Sequence, residues 1–218
     1  HRIADAAESA GVLVQVGHLL RFDPVSRAVA ALDIVPRYTD VTWVAPFTAR
    51  SLDVGVVMDL VIHGLDLVLY WMQTDPEQVD AFGGVIVGPH EDLVSVRLRF
   101  PGGWVANLTA SRFSRSRERT VRLFAENMYV KLDYGGRTAE VVQPKEGLSE
   151  LDVLEGMSTE DLVRDDVLEV EEEPDALRAQ LDAFLRGIRG EKRTGCSADE
   201  GARAVEVAQT IVRQVHGD

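Results

Sequence analysis

From Val79 through much of the chain, apolar residues recur at every second position, and that period limits the layers such a chain can build. In LVSVRLRF at 93–100, Val94, Val96, Leu98 and Phe100 point to one side while Ser95, Arg97 and Arg99 point to the other. Similar patterns predict strands at 38–43, 79–87, 103–110, 119–125 and 128–134, with weaker signals at 137–143 and 166–173. The short PGG between Phe100 and Trp104 makes one pair a hairpin. Strands this close in sequence pair antiparallel, because a parallel connection needs a crossover of about a dozen residues. Helical spacing predicts helices over 25–32, 56–72, 176–189 and 198–213, the last opened by a Ser197/Glu200 capping box. The expected fold is therefore α+β, a large and mainly antiparallel open sheet with helices packed on one face.

One predicted helix carries an unusual polar stripe. DVGVVMDLVIHGLDLVLYW at 53–71 is apolar around most of its circumference, yet places Asp59, His63 and Asp66 three and four residues apart on one face. It is too short and too interrupted to span a membrane. Charges in such surroundings must be paired, hydrated or turned toward a cavity. Two readings stay open: Asp66 holds His63 as a structural pair, or a carboxylate one turn away orients the imidazole as a general acid/base beside a substrate.

Other candidates are weaker as isolated signals. His18, Arg21 and Phe22 follow an expected strand at 12–17, where pockets often form. Arg112, Arg115, Arg117, Arg119 and Arg122 cluster within an otherwise acidic chain, and Arg115, Arg117 and Arg119 would share a face if extended. Arginine forks suit a phosphate or diphosphate, whereas the alternative is a surface balancing nearby acids. No metal is expected, since His18, His90 and Cys196 show no ligand spacing relative to Asp59 and His63. Neither a G-x-S-x-G elbow nor a G-x-G-x-x-G or P-loop motif occurs.

The 218 residues carry a formal charge of −13, which argues against nucleic acid or an anionic membrane as partner. The single cysteine, Cys196, allows no internal disulfide and fits a reducing, cytoplasmic setting. The sequence begins at His1 directly in helical HRIADAAESAG and then the apolar VLVQVG. A lone helix and strand cannot form a layer, so residues 1–17 are expected to be the last unit of a domain whose earlier part lies upstream.

Several stretches together resemble the C-terminal domain of Gfo/Idh/MocA oxidoreductases: VLVQVGHLLRFDPV at 12–25, APFTARSLDVGVVMDLVIHGLDLVL at 45–69, GPHEDLVSVRLRF at 88–100, VANLTASR at 105–112, and Ser197–Val207. Within that family the chain is most similar to the UDP-N-acetylglucosamine 3-dehydrogenase-like branch. The resemblance implies that residues 1–17 end a truncated Rossmann domain, which would bind NAD or NADP, and that 18–218 form the substrate and oligomerisation domain. It implies a homo-oligomer paired through the sheet face and a hydride transfer from a sugar hydroxyl, with a UDP-N-acetyl sugar as substrate. His63 would be the base and Asp59 would orient substrate or base; the family's upstream E-K-P lysine is absent. His18, Arg21, Phe22, Arg112, Arg115 and Arg117 are the candidate substrate contacts. Leu20, Asp23 and Gly64 depart from the family pattern, which expects glutamate, asparagine and aspartate there. A simple sugar or polyol dehydrogenase, and a non-catalytic scaffold reusing the domain, are the alternatives.

Overall fold

The computed structural model describes residues 2–30, 32, 34–48, 53–145, 147, 158–171, 175–191 and 194–217. The alternating segments form one eight-stranded sheet: β1 (Tyr38–Val44), β2 (Gln78–Gly84), β3 (Leu93–Arg99), β4 (Val105–Ser111), β5 (Glu118–Ala125), β6 (Met128–Asp133), β7 (Thr138–Pro144) and β8 (Val163–Val167). Their spatial order is β2-β3-β4-β1-β5-β6-β7-β8. All neighbours are antiparallel except β1 and β4, which run parallel with Tyr38 opposite Val105. The final strand starts earlier than the alternation suggested, and residues 172 and 173 of the expected 166–173 lie outside the described residues. As an exposed edge strand, β8 has no buried face to impose a period.

Helices α1 (Arg2–Ala10), α2 (Pro24–Ala30), α3 (Ile62–Met72), α4 (Thr159–Leu162), α5 (Ala176–Ile188) and α6 (Ala198–His216) complete the fold. The buried side of the sheet supplies Val41, Val96, Leu98, Leu108, Leu123 and Leu132. Val25, Val29, Val61, Leu65, Val68, Ala208 and Ile211 from α2, α3 with the turn before it, and α6 close over that layer. Burying a side chain of this size stabilises by roughly 1.5–3 kcal/mol, so this shared face holds the fold together. Contrary to the expected packing, α5 rests on the Leu19–Phe22 turn and leaves Leu177, Leu181 and Ile188 exposed. Residues 12–17 contribute a single bridge, Val16 to Cys196, in place of a strand ladder. No described helix is long and apolar enough to cross a membrane.

Candidate active site

The polar stripe does not sit on a uniform α-helix. Over Val57–Val61 the backbone forms a π-turn in which the Ile62 N–H reaches the Val57 carbonyl, and only then does α3 continue regularly. Such wider turns recur at functional sites because they re-aim side chains. Here Asp59 belongs to the π-turn and His63 to the first turn of α3. Gly64, next to His63, lets the helix rest closely on β1: a Cβ there would fall 2.7 Å from Val41 Cγ1. The glycine in place of the family's aspartate thus has a local packing role.

Asp59, Leu60 and His63 line one wall of a cavity of about 410 Å³. Leu19 and Leu20 of the 3₁₀ turn after His18 close another side, Trp43 and Ala45 come from the end of β1, and Arg112, Arg117 and Arg119 complete the rim. Asp59 and His63 therefore face one space with two arginines of the sequence cluster that are not fully buried. A larger groove of about 810 Å³ lies at the opposite end of the strands, beside Arg37, Trp104 and Met128. Its acid, Glu126, pairs with Arg37 at 2.8 Å, so it offers no free acid/base pair for chemistry.

His63 is exposed at the cavity mouth, with protein packed around part of its ring. Burial lowers its pKa below 6.5, and the Arg119 charge lowers it further against the opposing pull of Asp59 and Asp66. Near neutral pH the ring is an unprotonated imidazole, the form that accepts a proton. Arg119, its guanidinium 5.9 Å from the Trp43 ring centroid, is itself lowered by burial and by Arg117.

The third residue of the stripe has another role. Asp66 is 1% exposed, and both its oxygens accept from Arg21, from Nη2 at 2.7 Å and Nε at 2.9 Å. Arg21 Nη1 donates to Glu200 at 3.0 Å, and the guanidinium lies 4.6 Å from the Tyr70 ring centroid. His18 Nδ1 stands 3.6 Å from Asp66, and Phe22 is buried. The paired reading of His63 with Asp66 gives way to an Asp66–Arg21 pair, and Arg21 faces this hub instead of the cavity. His18, Asp66 and Cys196 come within 4.8 Å of one another, the spacing of a metal site. Their chemistry does not suit one: Asp66 is committed to Arg21, and burial pushes the Cys196 thiol up to about 12.

The arginine cluster divides. Arg112 is buried, donating from Nη2 to the Val54 carbonyl at 2.6 Å, with Nε 3.2 Å from Asp92 Oδ1. Arg115 is exposed and outside the cavity lining, whereas exposed Arg117 is part of it. Arg119, passed over among the sequence candidates, also lines the cavity. Its alternation with Arg117 was the available signal.

Burial lowers the pKa of both His18 and His63 from 6.5 in the folded chain. Above the unfolded value of about 6.5 both states hold these rings neutral; below it the unfolded chain takes up protons that the folded chain resists. Stability from this source is therefore full above that pH and falls on acidification. Thermal melts at about pH 7.5 and about pH 5.5 are expected to show a lower Tm at the acid value, with a smaller difference in His18→Asn; equal differences would remove His18 from the account.

The comparisons with known proteins agree with this architecture. Residues 25–218 match the Gfo/Idh/MocA oxidoreductase family, C-terminal alpha/beta domain. The chain is 30% identical over 206 residues to a UDP-N-acetylglucosamine 3-dehydrogenase of Acidithiobacillus ferrooxidans, covering 94% of this chain and 63% of that relative's length. A solved structure of UDP-N-acetylglucosamine 3-dehydrogenase GnnA from that organism superposes with a TM-score of 0.87 at 30% identity, over 98% of this chain and 67% of the other. An NAD-binding protein of Listeria innocua, 13% identical, shares the fold with a TM-score of 0.75 over 99% of this chain and 68% of its own. By the match across most of its length, the chain belongs to the Gfo/Idh/MocA oxidoreductase family.

Proposed function

We propose that this chain is the substrate-binding part of an NAD(P)-dependent dehydrogenase that oxidises a hydroxyl of a UDP-N-acetyl sugar. The observation that carries the reading is the placement of His63 beside Asp59 in a cavity rimmed by Arg117 and Arg119. His63 accepts the proton of the sugar hydroxyl as its carbon becomes a carbonyl, and Asp59 stabilises the resulting imidazolium. Burial, and after it the charge of Arg119, favours the unprotonated form of His63 before reaction.

NAD(P), when bound, supplies the hydride acceptor. Leu19, Leu20 and Trp43, on the apolar side of the cavity, would hold its flat nicotinamide end. The sequence has no G-x-G-x-x-G turn for its diphosphate, so the dinucleotide would be held chiefly outside residues 18–218. On this reading residues 1–17 finish the dinucleotide-binding domain. The lone buried Cys196 suits an enzyme of the cytoplasm.

Of the cluster, Arg117 is best placed to meet the diphosphate, because Arg112 is tied to the main chain and Arg115 lies off the cavity. In the full-length protein, Arg117→Ala is expected to weaken UDP-N-acetylglucosamine binding by about 1–2 kcal/mol and leave N-acetylglucosamine binding unchanged. Calorimetric titration of both ligands tests this. Equal affinity for the two in the unsubstituted protein would favour a simple sugar or polyol dehydrogenase; no binding of either would favour a scaffold.

The sheet face away from the helices bears Tyr38 and Phe124 in a T-shaped contact and Tyr129 tilted against Phe124, with Arg122 bonded to Asp40 at 3.1 Å. We propose that this face pairs two copies of the full-length protein. The expected light-scattering mass at micromolar concentration is at least a dimer burying above roughly 1,000 Å², and a strict monomer would refute the pairing.

A further inference from the structure

A second ionisable pair lies at the start of the helix that carries Asp59 and His63. Glu91, only 2% exposed, accepts the Val57 N–H on Oε1 at 3.1 Å, and its carbonyl accepts the Val56 N–H at 3.0 Å. Its other carboxylate oxygen, Oε2, lies 3.1 Å from Nε2 of His216, in the last turn of α6. The space is reserved for this contact: a Cβ on Gly55 would fall 1.8 Å from Glu91 Oε1.

We propose that Glu91 and His216 are positioning residues that set the placement of Asp59 and His63 in the cavity. Helix N-termini leave unsatisfied N–H groups, which a side chain just before the helix commonly caps. Here the cap comes from 34 residues further along the sequence. A carboxylate there also meets the positive end of the helix dipole.

The capped residue, Val57, begins the π-turn that contains Asp59. Asp59 is further tied by its N–H to the Gly55 carbonyl at 3.1 Å. Displacing Val57 therefore displaces Asp59 first and His63 one turn later. His216 occupies the second carboxylate oxygen and stops the group from rotating away from Val57. The inference rests on His63 being the base, and on the contacts in this chain for how that base is held.

The test uses the full-length protein with two substitutions at one position: His216→Leu removes the donor, while His216→Gln keeps one. The leucine variant is expected to lose turnover on the order of tenfold with KM within about twofold, and the glutamine variant to recover most of it. NMR of histidine-labelled protein is expected to show the His63 ring resonances moved in the leucine variant and near their original positions in the glutamine variant. Unmoved His63 resonances in the leucine variant would overturn the proposal, whatever happens to Tm. Moved resonances that glutamine fails to restore would also overturn it. If the unsubstituted protein oxidises no nucleotide sugar, the functional reading fails, and the resonances still decide whether Glu91 and His216 place this histidine.

Discussion

On the proposed reading, replacing His63 with alanine is expected to lower kcat of the full-length protein by on the order of 10²-fold or more while Tm barely moves. The substitution removes the proposed base, but the side chain is exposed, so truncation leaves no dry void of the kind that destabilises a core. Steady-state kinetics and a thermal melt separate the roles. Near-normal turnover with a fall in Tm would make His63 a packing residue.

The largest effect on stability is expected at Arg21. Its side chain is 4% exposed and holds Asp66, 1% exposed, through two hydrogen bonds. Arg21→Met keeps much of the volume but strands a buried carboxylate and removes a partner from Glu200, a change expected to cost about 3–5 kcal/mol. The double variant Arg21→Met with Asp66→Leu is expected to recover much of that loss, because it removes both charges. Denaturant unfolding measures both. A single-variant loss below about 1 kcal/mol would mean that the pair adds little. Because Arg21 faces Asp66 and Glu200, KM should change little in whatever single variant remains folded.

The central strands were legible because burial enforces their period: Val94, Val96 and Leu98 are all nearly inaccessible. The 12–17 run was equally apolar, but apolarity alone does not reveal whether a partner strand lies within reach, and only Val16 finds a bridge. The spacing of Asp59 and His63 drew attention to a shared face. It could not disclose the π-turn, which depends on how the helix start meets Glu91 and the sheet. Nor could it assign Asp66 to Arg21, because that partner lies 45 residues away in sequence. For Arg117 and Arg119, charge density was visible while convergence on the cavity required β5 to lie beside β1.

The parallel pairing of β1 with β4 also orders the assembly of the site in time. Tyr38 pairs with Val105 on one side and Phe124 on the other. As the polypeptide grows from its N-terminus, β1 has no lateral partner until Val105 has been synthesised, and its second edge remains open until β5 follows. Trp43 is thus made early as a sequence element but becomes a cavity wall late. Loops of this length must close before their contacts reward the closure, so the pocket is expected to form late in folding even though His63 lies in the first third of the chain.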